Sequence, residues 1–197
     1  QYRTLYITAS TGSILELYRQ LLDVLGMEMG GVSRAVMLRR IRQEIIDLVQ
    51  GKKLKVILVI DEASLLRLEV FAELHTLTQF EKDSKPLLPM VLAGQSNLID
   101  NLMYRSSLPL ASRIVGRSHL EGVTREQMEQ YLKHHLAIAG VKNNIFDETA
   151  ITAIQQGSGG LFRKANHLAR GAIIVAAKNK SMTINADHVR MAATEVF

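Results

Sequence analysis

The sequence predicts an α/β protein: a three-layer α/β/α core built on a parallel sheet, followed by a small all-helical domain. Three observations predict it. Apolar runs without polar interruption, 56–60 above all, alternate with helix-period segments through residues 1–122, the pattern of parallel strands covered by helices. From 123 to 197 only helical periodicity remains. The run 56–60 delivers two carboxylates, Asp61 and Glu62, at the carboxyl end of a strand, where sheets of this class bind ligands.

Each element can be justified in order. Segment 3–9, RTLYITA, is rich in β-formers, and Thr11-Gly12-Ser13 supplies a turn and a helix cap. In the next segment Ile14, Leu17, Leu21 and Leu25 recur at helical spacing, with Gly26 as the stop. Ser33 opens a longer helix whose face is Met37, Leu38, Ile41, Ile45 and Leu48, ending near Gly51. After the strand at 55–60 comes a helix through Val70, Leu74 and Leu77. Segment 87–95, LLPMVLAGQ, reads as another buried strand, ending on Gln95. In the second part Thr124 caps a helix through Met128, Leu132 and Leu136 that ends at Gly140. Asp147 caps one through Ile151 and Ile154 that stops at GSGG. A third helix spans 161–178, and a fourth begins at Asn185 or Asp187.

Composition sets the bounds. At 197 residues and 47% hydrophobic content the chain can bury a sizeable core. Its longest apolar stretches are far too short to span a bilayer. No cysteine is present, which removes disulfides, thiolate catalysis and cysteine metal sites and fits a reducing cytoplasm. The net charge of +5 mildly favours polyanionic partners. The N-terminus carries no signal-peptide pattern, and a start at Gln1 rather than Met points to a processed or partial chain.

An acidic pair at the end of a buried strand is best explained by a bound cation with an anion behind it, most economically a magnesium nucleotide. The bland reading is that Asp61 and Glu62 only end a strand and cap the next helix, yet a cap needs no unbroken apolar run before it. No G-x-x-x-x-G-K-S/T segment to cradle phosphates occurs anywhere in the chain.

In this order, VILVIDEASLL, VLAGQSNL, LASRIVGRSHL, YLKHHLAIAG and GSGGLFRKANHLA together resemble AAA+ ATPases of the ExeA type. That group includes general-secretion-pathway ATPases and ATP-dependent helpers of DNA transposition. The resemblance runs from Tyr2 to nearly the end of the chain. It implies a P-loop NTPase core over 1–122, a helical lid over 123–197, and a first strand, phosphate loop and first helix upstream of Gln1. It implies ATP and Mg²⁺ as cofactors, with Asp61 holding Mg²⁺ through water and Glu62 polarising the attacking water. Gln95 falls at the sensor-1 position, although Ser96, Asn97 and Leu98 follow it where the family often has P-E-L. Arg113 matches the arginine offered to a neighbouring subunit's nucleotide, with Arg117 as the alternative finger. Arg163 matches the sensor-2 arginine of the lid, with Phe162 where the family usually has proline, and the Gly159-Gly160 pair is expected to keep that helix N-terminus open. The implied setting is a cytoplasmic homo-oligomer, a ring or filament, working with secretion machinery or with DNA and a transposase. A different class of reading is a non-catalytic DNA- or protein-binding module on the same fold.

Other features read more simply. Thr11-Gly12-Ser13 lacks the lysine of a phosphate loop and reads as a strand-to-helix turn. His134 and His135 diverge on their helix without companion ligands, which argues against zinc. Arg34, Arg39, Arg40 and Arg42 form a basic run, ordinarily a solvated face and here the best candidate for a DNA-facing patch.

Overall fold

β1 (Tyr2–Thr8) and β2 (Lys55–Asp61) pair in parallel over their full length, Leu5 opposite Leu58 and Thr8 opposite Asp61. β3 (Met90–Leu92) adds in parallel on the other side of β2, giving the order β1-β2-β3. The computed structural model describes residues 1–28, 33–141 and 143–196 and divides into two units, Gln1–Arg117 and Ser118–Phe197.

Strand alternation decides which side chains enter the core of the first unit. Leu5 and Ile7 of β1 and Val56, Leu58 and Ile60 of β2 are buried. Against them pack α1 (Ile14–Leu25), α2 (Arg34–Ile46) and α3 (Leu68–Leu77) through Leu21, Leu22, Ile41, Ile45, Phe71 and Leu74. α1 stops at Gly26 because that residue adopts φ 76°, where Met27 N–H can reach back to the Leu22 carbonyl. The Arg3 guanidinium donates to the Val24 carbonyl beside it. Between the helices Glu73 is buried and accepts hydrogen bonds from Tyr18 Oη and from Arg34, so this carboxylate has the partners that burial demands. α2 continues into a single π-turn, Asp47–Gly51, before the chain enters β2.

The parallel α/β class is the one predicted, with three local differences. The uninterrupted run 56–60 is buried only at alternate positions: Ile57 and Val59 are half-buried on the face that also carries Tyr6 and Val91, so among the described residues these helices cover the opposite face. The strand predicted over 87–95 is three residues long and not buried, because it lies at the sheet edge, where Val91 is 46% exposed. Pro89 contributes only its carbonyl, which accepts from Leu58 N–H. Two short helices, α4 (Asn97–Met103) and α5 (Leu108–Ala111), follow where the sequence shows little periodicity.

Among the described residues the second unit is built of helices, α6 (Arg125–Ile138), α7 (Glu148–Ser158), α8 (Phe162–Lys178) and α9 (Ala186–Val196), with a parallel bridge between Phe146 and Ile184. Thr124 and Gln127 form a reciprocal capping box at α6, and Asp147 accepts from Ala150 N–H at α7. Asn185 caps α9 through His188 N–H. Met128, Leu132, Ile151, Ile154, Leu168 and Val175 form its core, with Ala165, Ala172 and Ala176 letting α8 approach its neighbours closely.

Candidate nucleotide site

Asp61 is the last residue of β2, held by ladder bonds on both its neighbours' sides. Its carbonyl accepts from Ala9 N–H, while Ala93 N–H reaches the Ile60 carbonyl. The carboxylate is also fixed. Oδ1 accepts from Glu62 N–H at 2.9 Å and Oδ2 accepts from Tyr6 Oη at 2.6 Å. The Tyr6 hydroxyl, followed by the Glu62 amide, holds the Asp61 carboxyl below its ordinary range. The same bond pushes the Tyr6 phenol above its ordinary value, since donating to the carboxylate stabilises the protonated phenol.

Glu62 turns the chain out of the strand in a left-handed conformation, φ 53° and ψ 30°. A residue with a Cβ adopts this region at a cost of about 1–2 kcal/mol. The surroundings enforce it: Ala63 N–H donates to the Ala93 carbonyl at 2.7 Å and the Glu62 carbonyl accepts from Leu65 N–H at 2.9 Å. The turn places Glu62, partly exposed, directly beyond the fixed Asp61. Such strain in a non-glycine residue persists where geometry matters more than stability.

Ser64 ties this turn to the segment after β3. Gln95 N–H lies 3.3 Å from Ser64 Oγ, and Asn101 Nδ2 donates to the Ser64 carbonyl at 3.2 Å. Gly94 passes so close that a Cβ there would sit 2.8 Å from Ser64 N. Asp61, Glu62 and the backbone of Gln95 are thereby brought together, with the Gln95 side chain exposed. Tyr6, Ser64 and Asn101 were not singled out by sequence reasoning. Tyr6 was findable in principle, because strand pairing places it two residues before the partner of Asp61.

The arginines are arranged differently. Arg113 Nε lies 3.1 Å from His75 Nδ1 and its guanidinium pairs with Asp83, whose carboxyl that pairing lowers below its ordinary range. Arg117 is exposed and makes no hydrogen bond or ion pair among the described residues. Arg163 is exposed on the first turn of α8. Phe162, standing in for the usual proline, stacks on Tyr131 with ring centroids 4.2 Å apart, and Tyr131 Oη donates to Asn166 Oδ1. The first turn of α8 is exposed at residues 161–164, while the second glycine before it is packed. Gly160 is buried, its carbonyl accepts from Val123 N–H, and a Cβ on it would lie 2.5 Å from Val123 N. Of the basic run on α2, Arg34 is committed to Glu73 and Arg42 lies over the Phe80 ring, leaving Arg39 and Arg40 exposed.

A magnesium ion of the nucleoside-triphosphatase kind needs only one or two protein carboxylates, with water and phosphate oxygens completing an octahedron. The residues present fit it. Each oxygen of Asp61 accepts one protein hydrogen bond and keeps capacity for a metal-bound water, and among the described residues no larger cluster of ligands competes.

A parallel α/β unit with an acidic strand end and, among the described residues, a second unit of four helices is the arrangement expected of an AAA+ protein. A family model described as "AAA domain" matches residues 1–102, and the chain belongs to that family. General secretion pathway protein A of Aeromonas hydrophila is 34% identical over 140 residues, which are 71% of this chain and 26% of the relative, bearing out the ExeA-type resemblance. The chain thus spans about a quarter of the length of that relative. Among solved structures, Cdc6p from Pyrobaculum aerophilum is similar with a TM-score of 0.73 at 19% identity, covering 100% of this chain and 53% of that one. The ADP form of the Aeropyrum pernix ORC2 protein follows at 0.65 and 14%, covering 99% and 53%. The Thermotoga maritima RuvB Holliday junction branch migration motor stands at 0.52 and 19%, covering 99% and 62%. At these identities the likeness is one of fold.

Proposed function

We propose that the protein containing this chain binds and hydrolyses ATP with Mg²⁺ and couples nucleotide state to assembly of a homo-oligomer. The observation that carries the reading is the acidic pair: a carboxylate fixed by two donors at the end of β2, followed by a glutamate held in a strained turn. Asp61 would hold the hydrated metal, which supplies charge neutralisation along the phosphates when bound. Glu62 would orient and polarise the attacking water and accept its proton as the new oxygen–phosphorus bond forms and the bond from the terminal phosphorus to the bridging oxygen breaks, releasing ADP and phosphate. Gln95 senses the terminal phosphate, and Arg163 serves its own subunit's nucleotide from the lid. The 197 residues contain no phosphate-loop signature, so cradling the phosphates falls to a segment outside them. The likeness to General secretion pathway protein A supports a role in secretion over one in transposition.

Arg113 is the proposed finger for a neighbouring subunit, worth roughly 10³–10⁵ in rate where such fingers act. Acting in trans requires its guanidinium to leave Asp83. Arg117 is a second reading, favoured by its exposure and lack of partners among the described residues.

The test uses the full-length protein. Glu62→Gln should bind ATP normally while turnover collapses, whereas Asp61→Asn should also weaken the magnesium dependence of binding. An unchanged steady-state rate in Glu62→Gln would sink the catalytic assignment. Mixing Arg113→Ala with Glu62→Gln protein should restore part of the activity, because an intact Glu62 site can receive an intact Arg113. If the mixture co-assembles and stays inactive, Arg117 replaces Arg113 as the finger.

A further inference from the structure

We propose that Tyr6 is a positioning residue for the metal-holding carboxylate, its phenol fixing the rotation of Asp61 from the neighbouring strand. The inference rests on the ATPase reading above and adds a residue to its site. Tyr6 and Asp61 are 55 positions apart in sequence, and parallel pairing of β1 and β2 sets them on the same face of adjacent strands. Tyr6 is 52% exposed, so burial alone does not account for its orientation. Its hydroxyl donates to Asp61 Oδ2 across the strand pair.

The geometry defines what that bond does. A carboxylate at a strand end turns easily about its terminal torsion, which is broad and two-fold. The Glu62 amide fixes Oδ1 alone, and a single donor leaves the other oxygen free to swing. The Tyr6 hydroxyl supplies the second donor, on the other oxygen, so the carboxylate plane is set before any metal arrives. Each oxygen then presents its remaining acceptor capacity in a constant direction, which is what an ion demanding near-ideal octahedral geometry requires. Partners that orient direct ligands typically contribute about 10–100-fold to metal affinity, and a carboxylate that holds the ion through water places its partner at the lower end of that range. Tyr6 is not a ligand itself; it acts through Asp61.

The experiment measures metal binding directly. Full-length wild type, Tyr6→Phe, Asp61→Asn and the double variant are held with saturating ATP, in a Glu62→Gln background that prevents turnover. Mn²⁺, as a Mg²⁺ surrogate, is titrated and free ion is read by electron paramagnetic resonance. Tyr6→Phe keeps the ring, so matching circular dichroism and melting curves verify its fold. It should raise the Mn²⁺ dissociation constant about 10-fold. In the Asp61→Asn background the same substitution should change nothing, a coupling that a purely structural tyrosine would not show. Unchanged or tighter Mn²⁺ binding in Tyr6→Phe, with Asp61→Asn clearly weakened, overturns the role given to Tyr6 and leaves the ATPase reading standing. Undiminished binding in Asp61→Asn overturns that reading itself. Equal losses from Tyr6→Phe with and without Asp61 would show that the phenol acts by another route, which also overturns the proposal.

Discussion

Replacing Glu62 by glycine and, separately, by alanine should reverse the usual order of stability of these two residues. In the left-handed region that Glu62 occupies, φ 53° and ψ 30°, any side chain with a Cβ costs about 1–2 kcal/mol and glycine costs almost nothing. Against this, glycine loses about 0.5–1 kcal/mol more chain entropy on folding than alanine. The difference leaves Glu62→Gly more stable than Glu62→Ala by about 0.75 kcal/mol at mid-range and by about 1.5 kcal/mol at most. At an ordinary helix or strand position the sign is the opposite. Comparing two truncations removes the carboxylate from both, so only the backbone term remains. Urea unfolding of the two variants side by side, compared by midpoint at equal slope, reads the difference. Neither variant should hydrolyse ATP when placed in the full-length protein, which separates the shape of the turn from the chemistry of its side chain. If alanine equals or exceeds glycine, the turn is not held left-handed in solution, and the strain attributed to Glu62 is wrong.

Four further outcomes are expected. Gly160→Ala should destabilise by about 2–4 kcal/mol in thermal or urea unfolding, combining left-handed strain with a Cβ forced onto the Val123 backbone. Gly140→Ala, at φ +81° with nothing near its Cβ, should cost only about 1 kcal/mol. Asp83, whose carboxyl is lowered by Arg113, contributes stability that is present above the ordinary aspartate range and lost as pH falls through its lowered value. Asp83→Asn should therefore flatten the acid limb of a stability–pH profile below about pH 4. The isolated 197-residue chain should bind Mg-ATP only weakly in calorimetry, and micromolar affinity would show that phosphate binding needs no further segment.

Much of the fold was legible because its signals are local. The Thr124–Gln127 capping box, the Asp147 cap and the Gly26 stop are short-range chemistry that each helix end carries in its own residues. The acidic pair was legible for the same reason, as a pattern confined to seven residues. What escaped depends on partners remote in sequence. Nothing within LLPMVLAGQ says that it lies at a sheet edge, and nothing near Arg113 says that Asp83 and His75 await it. Nothing near Gly160 says that a Cβ there would meet the backbone of Val123, more than 30 residues away. Tyr6 lay in a strand legible only from its richness in β-formers.

The half-covered sheet has a colloidal consequence. Tyr2, Tyr6, Ile57, Val59 and Val91 present aromatic and branched side chains along one face, and among the described residues β3 is paired only with β2. A partly apolar face joined to a strand edge is a template on which a second chain can add, with backbone hydrogen bonds as well as buried area to gain. Preparations of the 197-residue chain alone should cloud as concentration rises. Adding salts such as sulfate, which strengthen apolar burial, should hasten the loss. Lysine at Val91, set on the edge strand, should keep the chain in solution to higher concentration without touching the carboxylates at the end of β2.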